Sequence, residues 1–459
     1  MLSPIDGRVL TTITRATAAD MERAVASARR AFDDGRWSRA APAERKRVLH
    51  RLADLIEAEA AALAVLGVRD NGTEIAMALK AEPLSAAASF RYYAEAADKI
   101  TGEVAPTAPE LLGLVHREPV GVVGAIVPWN FPMMIGAWKV APALAAGNTV
   151  VVKPAESASL SLLRLAELGA RAGLPDGVLN VVTGQGSVAG EALALSMEVD
   201  VLAFTGSGAT GRRLLEYAAR SNLKRCYLEL GGKSPNIVFA DAPDLARAAK
   251  VSAAAIFRNS GQVCIAGARL LVAEPIHDEF VALMAAEAQR LRIGDPLDTG
   301  NDIGAVHSPV QLAANLAFVA GAEAEGAQRV CGGHRLHEGS GGWYMEPTIM
   351  AGVAPDHALF RQEVFGPVLA VSAFADEEQA LRLANGTDYA LAAAVWTGDL
   401  SRAHRMVRRL RAGVVHVNTY GGADITVPLG GRGQSGNGVD KSLHALDKYL
   451  DLKTAWISL

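Results

Sequence analysis

Two residue types that could carry covalent chemistry occur in one chain: a cysteine framed by small residues, and a carboxylate followed by two glycines. Cys264 lies in the run FRNSGQVCIAGAR, and Glu229 lies in LELGGKSPN. A thiolate can attack an electrophilic carbon, and a nearby carboxylate can later activate water against the resulting thioester. A free cysteine is often simply a small buried hydrophobe, but Gly261, Ala266 and Gly267 leave room around this sulfur. The pair predicts an oxidation that proceeds through two covalent steps.

A side-chain amide that could stabilise an oxyanion lies in a rigid loop. Asn130 belongs to VPWNFP, residues 127–132, which follows an apolar run. The two prolines fix the backbone on either side of the amide. An amide held in this way is a good oxyanion donor, and the alternative is that Asn130 caps the helix that follows.

A glycine-rich segment predicts a phosphate site. GSGATG, from Gly206 to Gly211, lies between the predicted strand VDVLAFT and the predicted helix GRRLLEYAAR. Backbone N–H groups and the helix dipole attract phosphate at such a turn. The simple fingerprint would assign the next acid, Glu229, to a ribose, but its position directly before Gly231 and Gly232 favours a carboxylate that faces a crevice at the strand terminus.

Two further carboxylates have neighbours suited to a nucleotide. Lys153 and Glu156, in VVVKPAES, could hold the two hydroxyls of one ribose, and the alternative is a solvated surface ion pair. Glu363 and Phe365, in QEVFGPV, could brace a second ribose and a flat ring, and the alternative is a turn at a domain edge.

Composition excludes several classes of function. The chain has 459 residues, which predicts two or three domains with a site in the crevice between them. A net charge of -4 gives no basic footprint for nucleic acid. No apolar run reaches the roughly 18 to 20 residues of a membrane span, and MLSPIDGRVL lacks the features of a signal peptide, so we expect a cytoplasmic protein. The three cysteines and ten histidines show no disulfide or metal-ligand spacing, and no metal is expected.

The spacing of apolar residues divides the chain into regions. In roughly the first hundred residues it predicts helices that stop at Asn71-Gly72. From about residue 119, Val- and Ile-rich runs alternate with amphipathic segments, and a second such series begins at PNIVFAD. Strands alternating with helices predict parallel sheets of the doubly wound α/β class. Residues 101–119 and 450–459 fit neither pattern and are expected to be extended arms.

Taken together and in this order, VPWNFP, KPAE, FTGSGATG, LELGGKSPN, FRNSGQVCIAGAR and EVFGPV resemble the NAD(P)-dependent aldehyde dehydrogenase superfamily over essentially the whole chain. The C-terminal run from DITVPLGG onward is most similar to the γ-glutamyl-γ-aminobutyraldehyde dehydrogenases of putrescine breakdown. The resemblance implies an aldehyde dehydrogenase-like α/β fold with two doubly wound parallel-sheet domains and a small oligomerisation arm. The implied division is a dinucleotide-binding domain at 1–100 and 120–231, a catalytic domain at 232–434, and arms at 101–119 and 450–459.

The resemblance also implies catalytic roles. Cys264 would attack the aldehyde, and the Asn130 amide and the Cys264 N–H would hold the oxyanion of the thiohemiacetal. Glu229 would activate water against the thioester, whereas relatives that pass the acyl group to coenzyme A usually lack this glutamate. Lys139 completes the implied catalytic set.

The implied cofactor is NAD. A carboxylate near the ribose 2′-OH, here Glu156, disfavours a 2′-phosphate, while Lys153 leaves NADP open. The implied cofactor-binding residues are Ile126, Val127, Pro128, Trp129, Lys153, Glu156, Gly186, Phe204, Gly206, Ser207, Gly211, Leu230, Glu363 and Phe365.

The implied substrate is an amine-derived aldehyde such as γ-glutamyl-γ-aminobutyraldehyde. The implied substrate walls are Phe131, Trp138, Val263, Ile265 and Leu429. Acidic Asp424 near the entrance could favour an amino or acylamino aldehyde, or it could be a solvated charge. Two alternatives stay open: a dehydrogenase for another aldehyde (betaine aldehyde, aliphatic or aromatic), and a catalytically silent cofactor-binding relative.

The arms resemble the family's oligomerisation strands, so a homodimer or homotetramer is expected. The chain also departs from the family: LSMEVD lacks the His often found before the predicted strand VDVLAFT, and two further departures bear on assembly and on the pocket. Family members usually carry some thirty or more residues, including edge strands, before the segment that matches SPIDGRVL, so either the start lies elsewhere or a sheet edge is exposed. Gly433 stands where most relatives have Lys, and Leu429 replaces a common Phe, which predicts a wider or less aromatic acyl-side pocket.

Overall fold

The computed structural model describes residues 1–422 and 424–459, and helices occur along most of this length. The helices are α1 (Ala18–Asp33), α2 (Pro42–Ala58), α3 (Ala60–Asn71), α4 (Ile75–Leu79), α5 (Ser85–Ala96), α6 (Pro132–Ala146), α7 (Leu160–Ala172), α8 (Glu191–Leu195), α9 (Gly208–Ala219), α10 (Leu245–Phe257), α11 (His277–Arg290), α12 (Pro309–Ala324), α13 (Ala358–Arg361), α14 (Glu377–Ala384) and α15 (Leu400–Arg409).

The strands form four sheets. They are β1 (Glu103–Ala105), β2 (Leu111–Pro119), β3 (Val122–Ile126), β4 (Thr149–Lys153), β5 (Leu179–Val181), β6 (Val201–Thr205), β7 (Arg225–Glu229), β8 (Pro235–Val238), β9 (Arg269–Ala273), β10 (Gln328–Cys331), β11 (Arg335–Leu336), β12 (Tyr344–Met345), β13 (Thr348–Ala351), β14 (Val368–Phe374), β15 (Ala392–Trp396), β16 (Val414–Val417) and β17 (Leu450–Ser458).

The predicted stop at Asn71-Gly72 is confirmed. Gly72 ends α3 in the left-handed conformation, at φ 81°, which costs glycine little because it has no Cβ. The helical stretch before it is two helices and not one, because Glu59 at the end of α2 departs from helical geometry.

A five-stranded sheet has the order β5-β4-β3-β6-β7, and every pair in it is parallel. The chain leaves β3 towards β4 on one side and later returns to β6 on the other side. The carboxyl ends of β3, β4, β6 and β7 therefore meet at one edge, and ligands of open α/β sheets bind where the strand order reverses.

A seven-stranded sheet has the order β10-β13-β14-β9-β8-β15-β16. All its pairs are parallel except β10 with β13. The doubly wound class predicted for both series of strands is confirmed. The sequence did not predict β10, because it is a short edge strand whose residues are mostly exposed and polar.

The two predicted arms meet in one antiparallel sheet of order β1-β2-β17. β17 pairs with β2 over nine residues, from Leu450 opposite Pro119 to Ser458 opposite Leu111. The other side of β17 is an unpaired edge within the described chain, and Leu452, Trp456 and Ile457 on this strand are exposed.

The most deeply buried helix is α6, all fifteen residues of which are buried. A helix that is apolar all round belongs inside a core, and Lys139 is its one charged residue. Across the described residues, no helix combines the length and apolar character needed to cross a membrane.

Candidate active site

A left-handed turn lies shortly before Cys264, the predicted nucleophile. Asn259 has φ 50° and ψ 37°, and Ser260 has φ 52° and ψ 34°. Gly261 follows at φ 72°, and a Cβ there would overlap the carbonyl oxygen of Gly366. Non-glycine residues pay about 1–2 kcal/mol each for this conformation, so neighbouring groups must hold the turn in place.

Segments 73–74 and 304–307 hold this turn from two sides. The Thr73 hydroxyl donates to the Asn259 side chain at 2.7 Å, and the Asn259 N–H donates to Glu74 at 3.2 Å. On the other side, the Ser260 hydroxyl donates to the carbonyl of Gly304 at 3.0 Å, and the N–H of His307 donates to the Gln262 side chain at 2.8 Å. These bonds fix the backbone that carries Cys264.

Cys264 has a half-buried thiol, and its surroundings disfavour the anion. Burial raises the pKa of Cys264 to about 12, and the charges of Glu363 and Glu229 raise it further, against the opposing effect of the N–H groups of Ile265 and Cys264 itself. Without bound ligands the residue is therefore a thiol at neutral pH, which is a weak nucleophile.

Asn130 points its amide at the cysteine loop. Its Nδ2 donates to the carbonyl of Gln262 at 3.0 Å, and its own carbonyl accepts from Asn71 at 3.2 Å. An amide nitrogen has two N–H donors, and only one has a partner among the described residues. The alternative that Asn130 caps the next helix is wrong, because Phe131 occupies the cap position of α6 without a side-chain cap bond.

Glu229 lies at the end of β7, held through its backbone. Its carbonyl accepts from the N–H of Gly206 at 3.0 Å, and it bridges to Gly436 on the far side. A Cβ on Gly438 would lie 3.0 Å from its Oε1, which has no hydrogen-bond partner. Burial, followed by the charge of Asp440, raises the pKa of Glu229 well above its usual value.

Lys139 belongs to a buried charge cluster that the sequence did not predict. Its Nζ lies 2.9 Å from Oδ2 of Asp440, and Lys448 pairs with the other oxygen of the same carboxylate. Burial opposes ionisation of Asp440, but the two ammonium groups outweigh it and hold its pKa below the usual value. Both lysines also counter the rise in the pKa of Glu229, so the cluster acts on that carboxylate.

Lys153 and Glu156, which were predicted to bind a ribose, lie at the carboxyl edge of the five-stranded sheet. Lys153 ends β4, and its Nζ lies 3.4 Å from Oε1 of Glu156. The same carboxylate accepts from the N–H of Gly186. Lys153 is 3% exposed, so the alternative of a solvated surface pair is wrong for the lysine.

The predicted phosphate turn lies beside this pair, between β6 and α9. Ser207 caps α9, and its hydroxyl accepts from the N–H of Thr210 at 3.3 Å. The Phe204 ring covers Gly206, where a Cβ would lie 2.5 Å from its Cζ. Gly211 packs against Leu230, where a Cβ would lie 2.9 Å from Cδ2. A helix amino terminus and bare glycine backbone are what a pyrophosphate requires.

Glu363 and Phe365 approach the site from the loop between α13 and β14. Oε1 of Glu363 accepts from the N–H of Gly232 at 2.8 Å, and burial raises its pKa to about 7. The Phe365 ring meets Trp129 edge-on, with 5.3 Å between centroids, and Trp129 stacks on His307 at 4.1 Å. Ile126, Val127 and Pro128 lead from β3 to Trp129 along the same edge. His307 carried no signal in the sequence, since it is a lone histidine between Val306 and Ser308.

Cys264 and Asn130 both line a cavity of about 370 Å³. All five predicted substrate residues line it, and so does Asp424. Several lining residues were not predicted: Met77, Met134, Arg258, Val414, Val415, His416 and Lys441. Arg258 and Lys441 lie inside segments that carried the family resemblance. A charged side chain in such a segment is the signal that could have identified each of them as a residue of the site. Glu229 is not among the residues that line this cavity.

Comparisons with known proteins agree over the whole chain. The sequence profile described as the aldehyde dehydrogenase family matches residues 1–455. The NADP/NAD-dependent aldehyde dehydrogenase PuuC of Escherichia coli K12 is 52% identical over 458 residues, which cover 100% of this chain and 92% of PuuC.

Two solved structures are similar in both sequence and fold. The γ-glutamyl-γ-aminobutyraldehyde dehydrogenase of Burkholderia cenocepacia is 50% identical with a TM-score of 0.98, covering 100% of this chain and 92% of that one. AldA of P. syringae, an indole-3-acetaldehyde dehydrogenase solved with NAD+, is also 50% identical with a TM-score of 0.98 and the same coverage.

The effect of the Glu363 charge on the pKa of the Cys264 thiol can be tested. We expect Glu363→Gln to lower the pKa of Cys264 and to speed its alkylation by iodoacetamide at pH 9, by about threefold to fourfold per pKa unit, because the gain in thiolate exceeds the loss of nucleophilicity. The gain should shrink below pH 6, where Glu363 of the parent is itself protonated. Peptide mapping assigns the label to Cys264, and Glu216→Gln on the exposed face of α9 is the control. An alkylation rate unchanged at pH 9 would contradict the electrostatic link.

Proposed function

The chain belongs to the aldehyde dehydrogenase family, and from this premise we propose that it oxidises γ-glutamyl-γ-aminobutyraldehyde to the corresponding acid. Membership makes it an NAD(P)-dependent oxidoreductase that acts on aldehydes. The observation that carries the proposal is the shared cavity, in whose wall Cys264 and Asn130 lie together. The narrower substrate is supported by the similarity to the Burkholderia enzyme of that name.

We assign the first step to Cys264 and Asn130. The Cys264 sulfur, once deprotonated, bonds to the aldehyde carbon, and the carbonyl electrons move to oxygen. The free N–H of the Asn130 amide and the Cys264 N–H would donate to this oxyanion, and losing one such donor typically costs about 10²–10³ in rate. The bond from Asn130 to Gln262 orients the amide for this task.

The second step makes and then hydrolyses a thioester on Cys264. Bound NAD(P)+ supplies the acceptor for the hydride that leaves the thiohemiacetal carbon. Glu229 would then take a proton from water as the water oxygen bonds to the thioester carbon, and collapse releases the acid and the Cys264 thiolate. A carboxylate with a raised pKa is suited to accept that proton near neutral pH.

We assign Lys139 a positioning role through the buried cluster and not a contact with substrate. Its ammonium and that of Lys448 share Asp440, which places two positive charges and one negative charge near Glu229. The excess positive charge limits the rise in the pKa of Glu229, so that the ionised base stays accessible.

The residues present fit a dinucleotide. The buried Lys153 with Glu156 offers a cation and a carboxylate for the hydroxyls of a ribose, and the capped start of α9 offers N–H groups for phosphates. We propose that residues 1–100 and 120–231 bind the cofactor, that 232–434 carry the nucleophile, and that 101–119 and 450–459 form the oligomerisation arm. Unpaired Cys226, Cys264 and Cys331 favour a reducing, cytoplasmic location.

A second candidate function is the oxidation of a neutral aromatic aldehyde. It is favoured by the equal similarity to the indole-3-acetaldehyde dehydrogenase of P. syringae and by the aromatic walls Phe131 and Trp138. Charged groups in the same cavity favour the γ-glutamyl compound, since an indole would leave them without partners. The intact Cys264, Glu229 and Asn130 argue against a catalytically silent relative.

We also propose that a second copy of this chain covers the free edge of β17. Exposed edge strands pair readily with other chains, and this one presents Leu452, Trp456 and Ile457. A symmetric contact of this kind gives a homodimer, or a homotetramer when repeated on a second axis.

The proposed substrate is tested by NADH formation from purified protein. The γ-glutamyl compound should exceed γ-aminobutyraldehyde, betaine aldehyde, indole-3-acetaldehyde and a simple aliphatic aldehyde in kcat/KM by about tenfold or more, the range that polar pocket contacts supply. Cys264→Ala should abolish turnover. Preference for indole-3-acetaldehyde would transfer the assignment to the second candidate.

The role of Glu229 is tested by the order of events. In Glu229→Gln we expect a burst of about one NADH per site, then steady turnover slower by about 10²–10⁴, because the thioester forms but water is no longer activated. Hydroxylamine, a nucleophile that needs no general base, should restore turnover in part. The exposed Glu216→Gln serves as the control. Loss of the burst itself would show that Glu229 acts before the thioester.

The assembly is tested by Trp456→Asp, which places a charge on the proposed interface. Light scattering after size exclusion should give a smaller mass than for the parent chain, because burying an unpaired carboxylate is unfavourable. Trp456→Phe, which keeps the apolar surface, is the control. An unchanged mass for the Asp variant would place the interface elsewhere.

A further inference from the structure

Two cations line the active-site cavity without a hydrogen-bond or ion-pair partner in the described chain. Arg258 ends the helical segment before the cysteine turn, and Lys441 follows Asp440. Neither side chain makes a hydrogen bond or an ion pair within 4.0 Å with a described residue. Lys441 is only 4% exposed, and its ammonium lies 5.7 Å from the centre of the Trp138 ring, which also lines the cavity. Burying an unpaired charge is costly, and a ligand that supplies a negative charge would offset that cost.

Several other buried cations have hydrogen-bond or ion-pair partners, although the buried ammonium of Lys233 has no hydrogen-bond partner among the described residues. Arg269 donates to the carbonyls of Lys233, Leu383 and Ala384, and Lys448 pairs with Asp440. Arg258 and Lys441 differ from Lys233 in that both line the active-site cavity, where a ligand can reach them.

His416 indicates that Arg258 and Lys441 lie near the same part of the cavity. His416 lines the same cavity, stacks on Tyr420 at 5.2 Å between centroids, and has no partner for its buried Nε2. Burial lowers the pKa of His416, and the charges of Arg258 and Lys441 lower it further. Both cations thus act on one neutral ring, which indicates that they converge on the same part of the cavity.

One acidic residue, Asp424, lines the cavity together with Arg258, Lys441 and His416. Asp424 is exposed on the loop after β16, and its carboxylate accepts from the N–H and hydroxyl of Thr426 at 2.9 and 2.7 Å. Burial lowers the pKa of Lys441, and the charge of Asp424 opposes that fall. Exposed Gly422 and Val427 of the same loop also line the cavity, whereas Asn130 in the same lining is buried, so the loop lies on the solvent side and Asn130 on the interior side.

We propose that Arg258 and Lys441 bind a carboxylate at the end of the substrate remote from the aldehyde, and that Asp424 binds an ammonium group beside it. The substrate class is an aldehyde that ends in an amino acid group. This inference rests on the proposed function and assigns its selectivity to three residues. It also predicts rejection of aldehydes whose far end is only cationic, since that charge would face two like charges.

Four aldehydes with one backbone separate these contributions. Each is 4-aminobutanal acylated on nitrogen, with a γ-glutamyl, glutaryl, 4-aminobutanoyl or butanoyl group, so that the far end is zwitterionic, anionic, cationic or neutral. The glutaryl compound should exceed the butanoyl compound in kcat/KM by about 10- to 100-fold, the range of hydrogen bonds to charged groups. The 4-aminobutanoyl compound should be the poorest of the four.

Substitutions test which residues produce the preference for the glutaryl over the butanoyl compound. Lys441→Met and Arg258→Gln should each lower the glutaryl-to-butanoyl ratio by about tenfold, whereas Lys441→Arg should retain most of it. Asp424→Asn should lower only the advantage of γ-glutamyl over glutaryl. Exposed Lys250→Met and Arg247→Gln, on α10, are the matched controls and should leave both ratios unchanged. Because each ratio is taken within one variant, a general loss of activity does not alter it.

The outcomes distinguish this inference from the proposed function. If the parent prefers the γ-glutamyl compound to other aldehydes but oxidises the glutaryl and butanoyl compounds equally well, the carboxylate contact is refuted and the proposed function stands. If Lys441→Met and Arg258→Gln both keep the ratio of the parent, the two residues are not its source. If the parent shows no preference for the γ-glutamyl compound over a simple aliphatic aldehyde, the proposed function itself fails.

Discussion

The left-handed turn at residues 259–261 is the constraint on which the site depends. It reverses the chain directly before Cys264 and brings the thiol into the wall of a cavity. Asparagine adopts this conformation more readily than most residues but serine does not, and the turn is held because groups from residues 73–74, 304–307 and 366 enclose it. The nucleophile is positioned by distant parts of the chain rather than by its own segment.

Burial of the site is the main cause of the shifted pKa values of its acidic groups. Removing water disfavours every charged form, so the pKa values of Cys264, Glu229 and Glu363 are all raised. The protein counters this selectively, by placing Lys139 and Lys448 on one aspartate near Glu229. The base receives this support in the ligand-free structure, whereas the thiol must obtain it from groups that bind later.

Sequence patterns predicted the fold well where they repeat and poorly where contacts are long-range. Strand–helix alternation identified both parallel sheets, and strand ends located Lys153 and Ser207 at one edge, because parallel strands share a direction. The edge strand β10 had too few apolar residues to be recognised. Asp440 and His307 gave no usable signal, because their importance comes from partners far away in the chain and not from their own surroundings.

The pairing of Lys139 with Asp440 has a consequence for protein synthesis. The two residues are separated by 301 positions, and ribosomes add about 5–20 residues per second. For roughly 15–60 seconds the nascent α6 therefore carries an ammonium group whose partner does not yet exist. During that interval, packing α6 into its core would bury an ammonium group without its carboxylate, which disfavours that packing until the later segment has been made.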